Sequence, residues 1–211
     1  MGERGLRLSQ ICIARGEAIL LELDLHIAPG EVLTVMGPSG AGKSTLLSLI
    51  IGTLRRDFNA AGRVLLDGRD ITDLPTAKRR VGILFQDDLL FPHLSVGENL
   101  AFGLSADVKG RAIRRARVET ALDEIGLTGF ADRDPATLSG GQKARVALMR
   151  MLLSEPCALL LDEAFSRLDT ARRDQIRALV FDYASRRGLP TLMVTHDMAD
   201  ARAAGGKVIQ I

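Results

Sequence analysis

At 211 residues, 46% hydrophobic and 26% charged, the chain can bury one good core; this excludes a disordered chain and leaves little room for two full domains. A net charge of +2 argues against a nucleic-acid partner, and the arginines clustered at Arg111 to Arg117 and at Arg172-Arg173 share their stretches with acids, as solvated helix faces do. No run approaches the roughly 18 apolar residues that span a bilayer, the first residues carry neither a secretory nor a myristoylation pattern, and Cys12 and Cys157 lack metal-ligand spacing, so the expectation is a cytoplasmic chain with reduced thiols.

The opening stretch is strand in character. Leu21, Leu23, Leu25 and Ile27 alternate with Glu22, Asp24 and His26, the period of a half-buried strand. Ala28-Pro29-Gly30 then turns the chain into Val32-Leu33-Thr34-Val35-Met36, an apolar run suited to a buried parallel strand. Next comes Gly37-Pro38-Ser39-Gly40-Ala41-Gly42-Lys43-Ser44-Thr45, a full match to G-x-x-x-x-G-K-[ST], and a predicted helix continues through Ile51. Strand, glycine-rich loop and helix together make a phosphate cradle. The glycines let successive N–H groups point at phosphate oxygens, and the helix adds the positive end of its dipole. In such a loop Lys43 sits on the β- and γ-phosphates and the Ser44 hydroxyl is a Mg²⁺ ligand. The ligand implied is a nucleoside triphosphate.

Downstream, Arg63-Val64-Leu65-Leu66 and a short following strand flank Asp67-Gly68, a hairpin signal. Val81 to Phe85 is another short strand, with Gln86 directly after it. From about Ser95 to Leu152 the pattern is helical: Val118, Ala121, Leu122 and Ile125 fall at i, i+3, i+4 and i+7, closed by Gly126. Residues from about 88 to 152 are therefore predicted as a helical insertion in an α/β core of about 1–87 and 153–211. The core resumes with Ala158 to Leu161. A helix presenting Ile176, Leu179, Val180 and Tyr183 follows, stopped by Gly188-Leu189-Pro190, and then come the strands Thr191 to Thr195 and Lys207 to Ile211, the last at an edge.

Four further features carry chemistry. Leu138-Ser139-Gly140-Gly141-Gln142 precedes a helix expected to begin near Lys143, which makes a second anion site. Two such sites are hard to use on one triphosphate unless a second copy of the chain supplies one. Asp162 and Glu163 end a buried strand, and alternation sends them to opposite sides, so Asp162 suits the Mg²⁺ and Glu163 the attacking water. Gln86 and His196 each stand at a strand end, where parallel α/β sheets place ligand contacts.

This ordered set resembles the ATP-binding subunits of ABC transporters over nearly the whole chain: P-loop 37–45, Q-loop Gln86, signature Leu138 to Gln142, Walker B 158–163, D-loop Ser166 to Asp169 and switch His196. The signature shortly before an apolar strand ending in Asp-Glu is its most specific piece. Gly82 to Gln86 and Phe91 to Leu100 are most similar to bacterial importer subunits of the polyamine, ferric iron and thiamine type. The resemblance implies an α/β fold: a P-loop NTPase (RecA-like) core with an N-terminal antiparallel β-subdomain and an inserted α-helical subdomain. The whole chain is then one ATP-binding domain without a C-terminal regulatory domain.

The same resemblance implies ATP hydrolysis that powers solute movement through a membrane permease at the cytoplasmic face, with a solute-binding protein in the full system. Glu163, His196, Gln86 and Lys43 take the catalytic positions; Ser44, Gln86 and Asp162 take the Mg²⁺. In a head-to-tail homodimer, Ser139, Gly140, Gly141 and Gln142 of one copy close over the ATP on the other's P-loop, with Asp169 in the D-loop. The chain departs from the family in stopping at Ile211 without the C-terminal regulatory domain that many importer ATPases carry, and in three places within it. Ile13-Ala14-Arg15-Gly16 lacks the aromatic that stacks on adenine, which leaves the planar Arg15 guanidinium as the nearest group able to do so; Ala164 stands where proline is usual; and Arg55 to Ala60 lengthens a loop. Three alternatives stay open: an ABC-type ATPase not coupled to transport, a P-loop small-molecule kinase, and an ATP-binding protein without turnover. The first usually carries coiled-coil insertions or two ATPase halves, the second has no use for the signature, and the presence of Glu163 and His196 opposes the third.

Overall fold

The computed structural model describes residues 4–38, 40–166, 168 and 170–211, with the side chains of 170–172 outside the described set. Ser39 and Asp169, two of the expected site residues, lie outside the described residues.

Two sheets form. The first is antiparallel and is built from β1 (Leu6–Arg15), β2 (Ala18–Ile27), β4 (Asn59–Leu66) and β5 (Arg69–Asp70), in the order β2-β1-β4-β5. The alternation read in β2 holds: Leu21, Leu25 and Ile27 are buried and Leu23 is partly so. Asp67 and Gly68 take φ of 50° and 79°, the positive pair that a two-residue hairpin needs, and Leu66 pairs Arg69 across them. β4 begins at Asn59, four residues before the apolar run that announced it. Antiparallel pairing with β1, with Ala14 opposite Asn59, extends the strand into sequence with no strand signal of its own.

The second sheet has the order β6-β7-β8-β3-β9, from β3 (Val32–Met36), β6 (Val81–Leu84), β7 (Ala158–Asp162), β8 (Thr191–Thr195) and β9 (Lys207–Gln210). β3 pairs in parallel with β8 and β9, and β7 with β8. β3 and β8 are buried throughout and β7 up to Leu161, as continuous apolar runs in a parallel sheet should be. Helix α1 (Lys43–Ile51) buries Leu46, Leu47 and Ile50 against the core that holds Leu33, Val35, Leu160, Leu192 and Val194. Each such side chain contributes roughly 1.5–3 kcal/mol by leaving water. Behind α1, α2 (Thr76–Arg79) ends in a buried arginine. The guanidinium of Arg79 donates to the carbonyls of Leu49, Ile50, Thr72 and Leu74, closing the C-terminal end of α1.

The chain divides into two compact units: one through Ile83 with Cys157–Glu163 and Leu179–Ile211, the other Leu84–Pro156 with Ala164–Ala178. Helix α6 (Thr170–Arg186) contributes to both, and α7 (Met198–Ala204) belongs to the first. The second unit is built from α3 (Val96–Gly103), α4 (Arg111–Glu124) and α5 (Gly140–Leu152). Ser95 caps α3 in a reciprocal box with Glu98, and the Val96 and Gly97 amides reach the carbonyls of Arg133 and Ala131. In α4, Val118, Ala121 and Leu122 are buried, Ile125 follows them inward, and Gly126 at φ 66° turns the chain away.

Candidate active site

In the first unit, β3, β7 and β8 are neighbours in register, Met36 beside Thr195 and Asp162 beside Val194, so the residues just beyond their C-terminal ends are brought together. After β3 comes the glycine-rich loop. Gly37 is half-buried, Pro38 and Gly40 are exposed, and the Ala41 amide donates to the Pro38 carbonyl. Gly42 is the N-cap of α1 at φ 89°, a conformation that L-residues rarely adopt, and it offers no side chain to the turn. The first intrahelical bond of α1 is the Leu46 amide to the Gly42 carbonyl. The amides of Lys43, Ser44 and Thr45 precede it in an uncapped N-terminal turn, the arrangement that accepts an anion. The Lys43 ammonium folds back over the loop and donates to the carbonyls of Gly37 at 2.7 Å and Pro38 at 2.8 Å.

Asp162 closes β7, and the Ser44 hydroxyl donates to its Oδ1 at 3.2 Å. Burial pushes the Asp162 carboxyl above its ordinary value, the Ser44 hydrogen bond pulls it back, neighbouring Glu163 raises it further, and Lys43 lowers it. A half-buried carboxylate beside a hydroxyl is a pair of hard oxygen donors, which is chemistry that fits Mg²⁺. Glu163 does not continue the alternation expected of it. The strand ends at Asp162, and Glu163 turns at φ 47° while its amide donates to the Val194 carbonyl. That turn, rather than the pleat, sends its carboxylate to His196: Glu163 Oε1 lies 3.2 Å from His196 Nδ1, just past β8. A carboxylate oriented by an imidazole can take a proton from water.

Arg15 sits at the end of β1 with its guanidinium 5.7 Å from the Phe58 ring centroid and 3.4 Å from Asp57. Phe58 escaped the sequence reading because it stands in the loop after α1. The signal was the antiparallel register, since pairing Ala14 with Asn59 brings residue 58 to residue 15.

Gln86 and Ser139 to Gln142 belong to the second unit. Gln86 is exposed, two residues beyond β6. Helix α5 starts at Gly140, ahead of the expected Lys143, because Ser139 and Gln142 form a capping box: Ser139 Oγ accepts from the Gln142 amide and Gln142 Oε1 from the Ser139 amide. Gly140 and Gly141 thus become the first turn of a helix already capped by its own residues, rather than a loop before it.

The profile of the family described as "ABC transporter" matches residues 20–166. The ABC transporter ATP-binding protein YnjD of Escherichia coli, itself called uncharacterized, is 51% identical over 185 residues, 88% of this chain and 85% of that protein. A thiamine import ATP-binding protein of Cereibacter sphaeroides is 44% identical over 206 residues, 98% of this chain and 87% of the relative. An Fe(3+) ions import ATP-binding protein of Haemophilus influenzae is 40% identical over 205 residues, which is 97% of this chain and 62% of that longer relative.

Proposed function

Since the chain belongs to the ATP-binding proteins of ABC transporters, a family of ATPases, we propose that it is the energising subunit of an import system, acting as a head-to-tail homodimer beneath a membrane permease. Among the described residues no helix is long and apolar enough to cross a membrane, and the reading places the chain peripherally on the cytoplasmic face. Import follows the thiamine and Fe(3+) relatives, and a solute-binding protein would complete the system. The division into an α/β core and a helical insertion of about 88–152 belongs to the same reading.

One observation carries it: Lys43, Ser44, Asp162, Glu163 and His196 converge at the ends of three neighbouring parallel strands. In this reading the phosphates of ATP lie over Gly37 to Thr45. Lys43 exchanges the carbonyls of Gly37 and Pro38 for β- and γ-phosphate oxygens, as charge-assisted bonds are stronger. Ser44 and Asp162 would hold Mg²⁺, which would supply neutralisation of the charge that builds on the phosphates. Glu163 accepts a proton from the water that attacks the γ-phosphorus as the bond to the β,γ-bridging oxygen breaks and ADP leaves, and His196 holds its carboxylate in that orientation. The exposed Arg15, with Phe58 behind it, faces the adenine. Ser139, Gly140, Gly141 and Gln142 meet the partner copy's ATP, and Gln86 with the segment after it meets the permease.

Complementation between two variants tests the dimer. Lys43→Ala should lose its own nucleotide, whereas Ser139→Arg should bind ATP yet fail to dimerise or hydrolyse it. An equal mixture should regain activity from at most one composite site per dimer. Full turnover in purified Ser139→Arg would mean that the signature does not act in trans.

A further inference from the structure

The helix that begins at Ser139 carries, near its other end, an arginine that no step above uses. Arg150 donates from Nη2 to the carbonyls of Leu89 at 2.9 Å and Asp88 at 3.3 Å, and from Nη1 to Asn99 Oδ1 at 3.2 Å. Its guanidinium also stands 5.0 Å from the centroid of the Phe91 ring. Asn99 is fully buried and binds the same segment from α3: its oxygen accepts from the Phe91 amide, and its amide nitrogen donates to the carbonyls of Phe91, Leu94 and Ser95. α3 is pressed against α5 at the same point, because a Cβ on Gly103 would lie 2.0 Å from the Arg150 carbonyl oxygen. Leu89 is held at φ 44°, a strained conformation for a leucine, and its side chain is 56% exposed. Phe102, 68% exposed on α3, meets Phe91 edge-on at 4.7 Å.

We propose that Arg150 is a positioning residue that joins the 88–91 segment to the signature helix as one rigid lever, so that a load applied at Leu89 and Phe102 reaches Ser139 through α5. The proposal rests on the reading that the segment after Gln86 meets the permease. Its physical basis is geometric. A guanidinium spans three acceptors at fixed angles, and a helix transmits a displacement along its axis without deforming. The strained carbonyl of Leu89 is kept in place by Arg150, so segment and helix share one conformation and are expected to change it together.

Amide hydrogen exchange on the full chain tests the lever without relying on turnover. In Arg150→Met, and equally in Arg150→Lys, whose compact ammonium lacks the planar fork that spans these acceptors, the hydrogen-bonded amides of Phe91 and Gln142 should exchange about tenfold faster or more, with β3 unchanged. ATP hydrolysis should lose about tenfold in kcat with KM within about twofold of wild type. Acceleration confined to 88–91 would make Arg150 a local brace and overturn the lever, as would no acceleration at all. Should the Arg150 variants fail to fold, Leu89→Pro serves: the position is exposed, and proline cannot adopt φ 44°, so the carbonyl must leave Arg150. The Gln142 amide should again exchange faster, and an unchanged rate there refutes the link. A wild type that hydrolyses no ATP would instead refute the ATPase reading, leaving the exchange result to judge the lever.

Discussion

Glu163 combines two properties that can be separated by substitution. It is the proposed base, and it is a non-glycine residue at φ 47° immediately after β7. Glu163→Gln keeps the shape and the contact with His196 but removes the proton acceptor. General-base catalysis contributes about 10²–10⁴ in rate, or about 3–5 kcal/mol of barrier, so kcat should fall by that factor with ATP still bound. Glu163→Ala and Glu163→Gly both lose the carboxylate and its 3.2 Å approach to His196, and they differ only in backbone. A left-handed conformation costs an L-residue about 1–2 kcal/mol, and the greater freedom of glycine in the unfolded chain takes back about 0.5–1 kcal/mol. The glycine variant should therefore be the more stable of the two by about 1 kcal/mol, or about 2–4 °C in Tm for a chain of this size. The assays are steady-state phosphate release for all three variants and thermal unfolding of the Ala and Gly proteins without nucleotide. Turnover near wild type in Glu163→Gln removes Glu163 from the role of base. A glycine variant no more stable than the alanine variant removes the strain.

Burial pushes the Asp88 carboxyl up from its ordinary 3.8, against the opposing pull of Lys143 and Arg150, so the folded chain holds this proton more tightly than the unfolded one. That contribution to stability falls as pH rises from about 4 through the raised pKa; Asp88→Asn should melt higher than wild type at pH 7, with the gap closing at about pH 4 and below, and an equal gap at both would refute the assignment. At the base, Arg15→Ala should weaken ATP and GTP alike by about 2- to 30-fold, the span of about 0.5–2 kcal/mol of cation–π stacking. Unchanged affinities would remove Arg15 from the adenine, and a strong preference for ATP in the wild type would point to a base-reading contact elsewhere.

Much of this protein follows from local pattern. The continuous apolar runs of β3, β7 and β8 had no choice but burial on both faces, Asp67-Gly68 could only turn, and the spacing of Val118, Ala121, Leu122 and Ile125 defined the inward face of α4. The loop from Gly37 to Thr45 was legible because its chemistry is carried by consecutive residues. Even the early start of α5 was written locally, as a serine three residues before a glutamine. Tertiary structure decided what no window of sequence contains. Ser44 meets Asp162 across 118 positions because β3 and β7 flank β8, and Arg15 finds Phe58 because β4 pairs with β1. Glu163 reaches His196 through a positive φ that periodicity cannot foresee, since alternation describes a strand only as long as the strand continues. Side-chain period encodes which face is buried; the partners across that face are set by strand order and register, which depend on the whole chain at once.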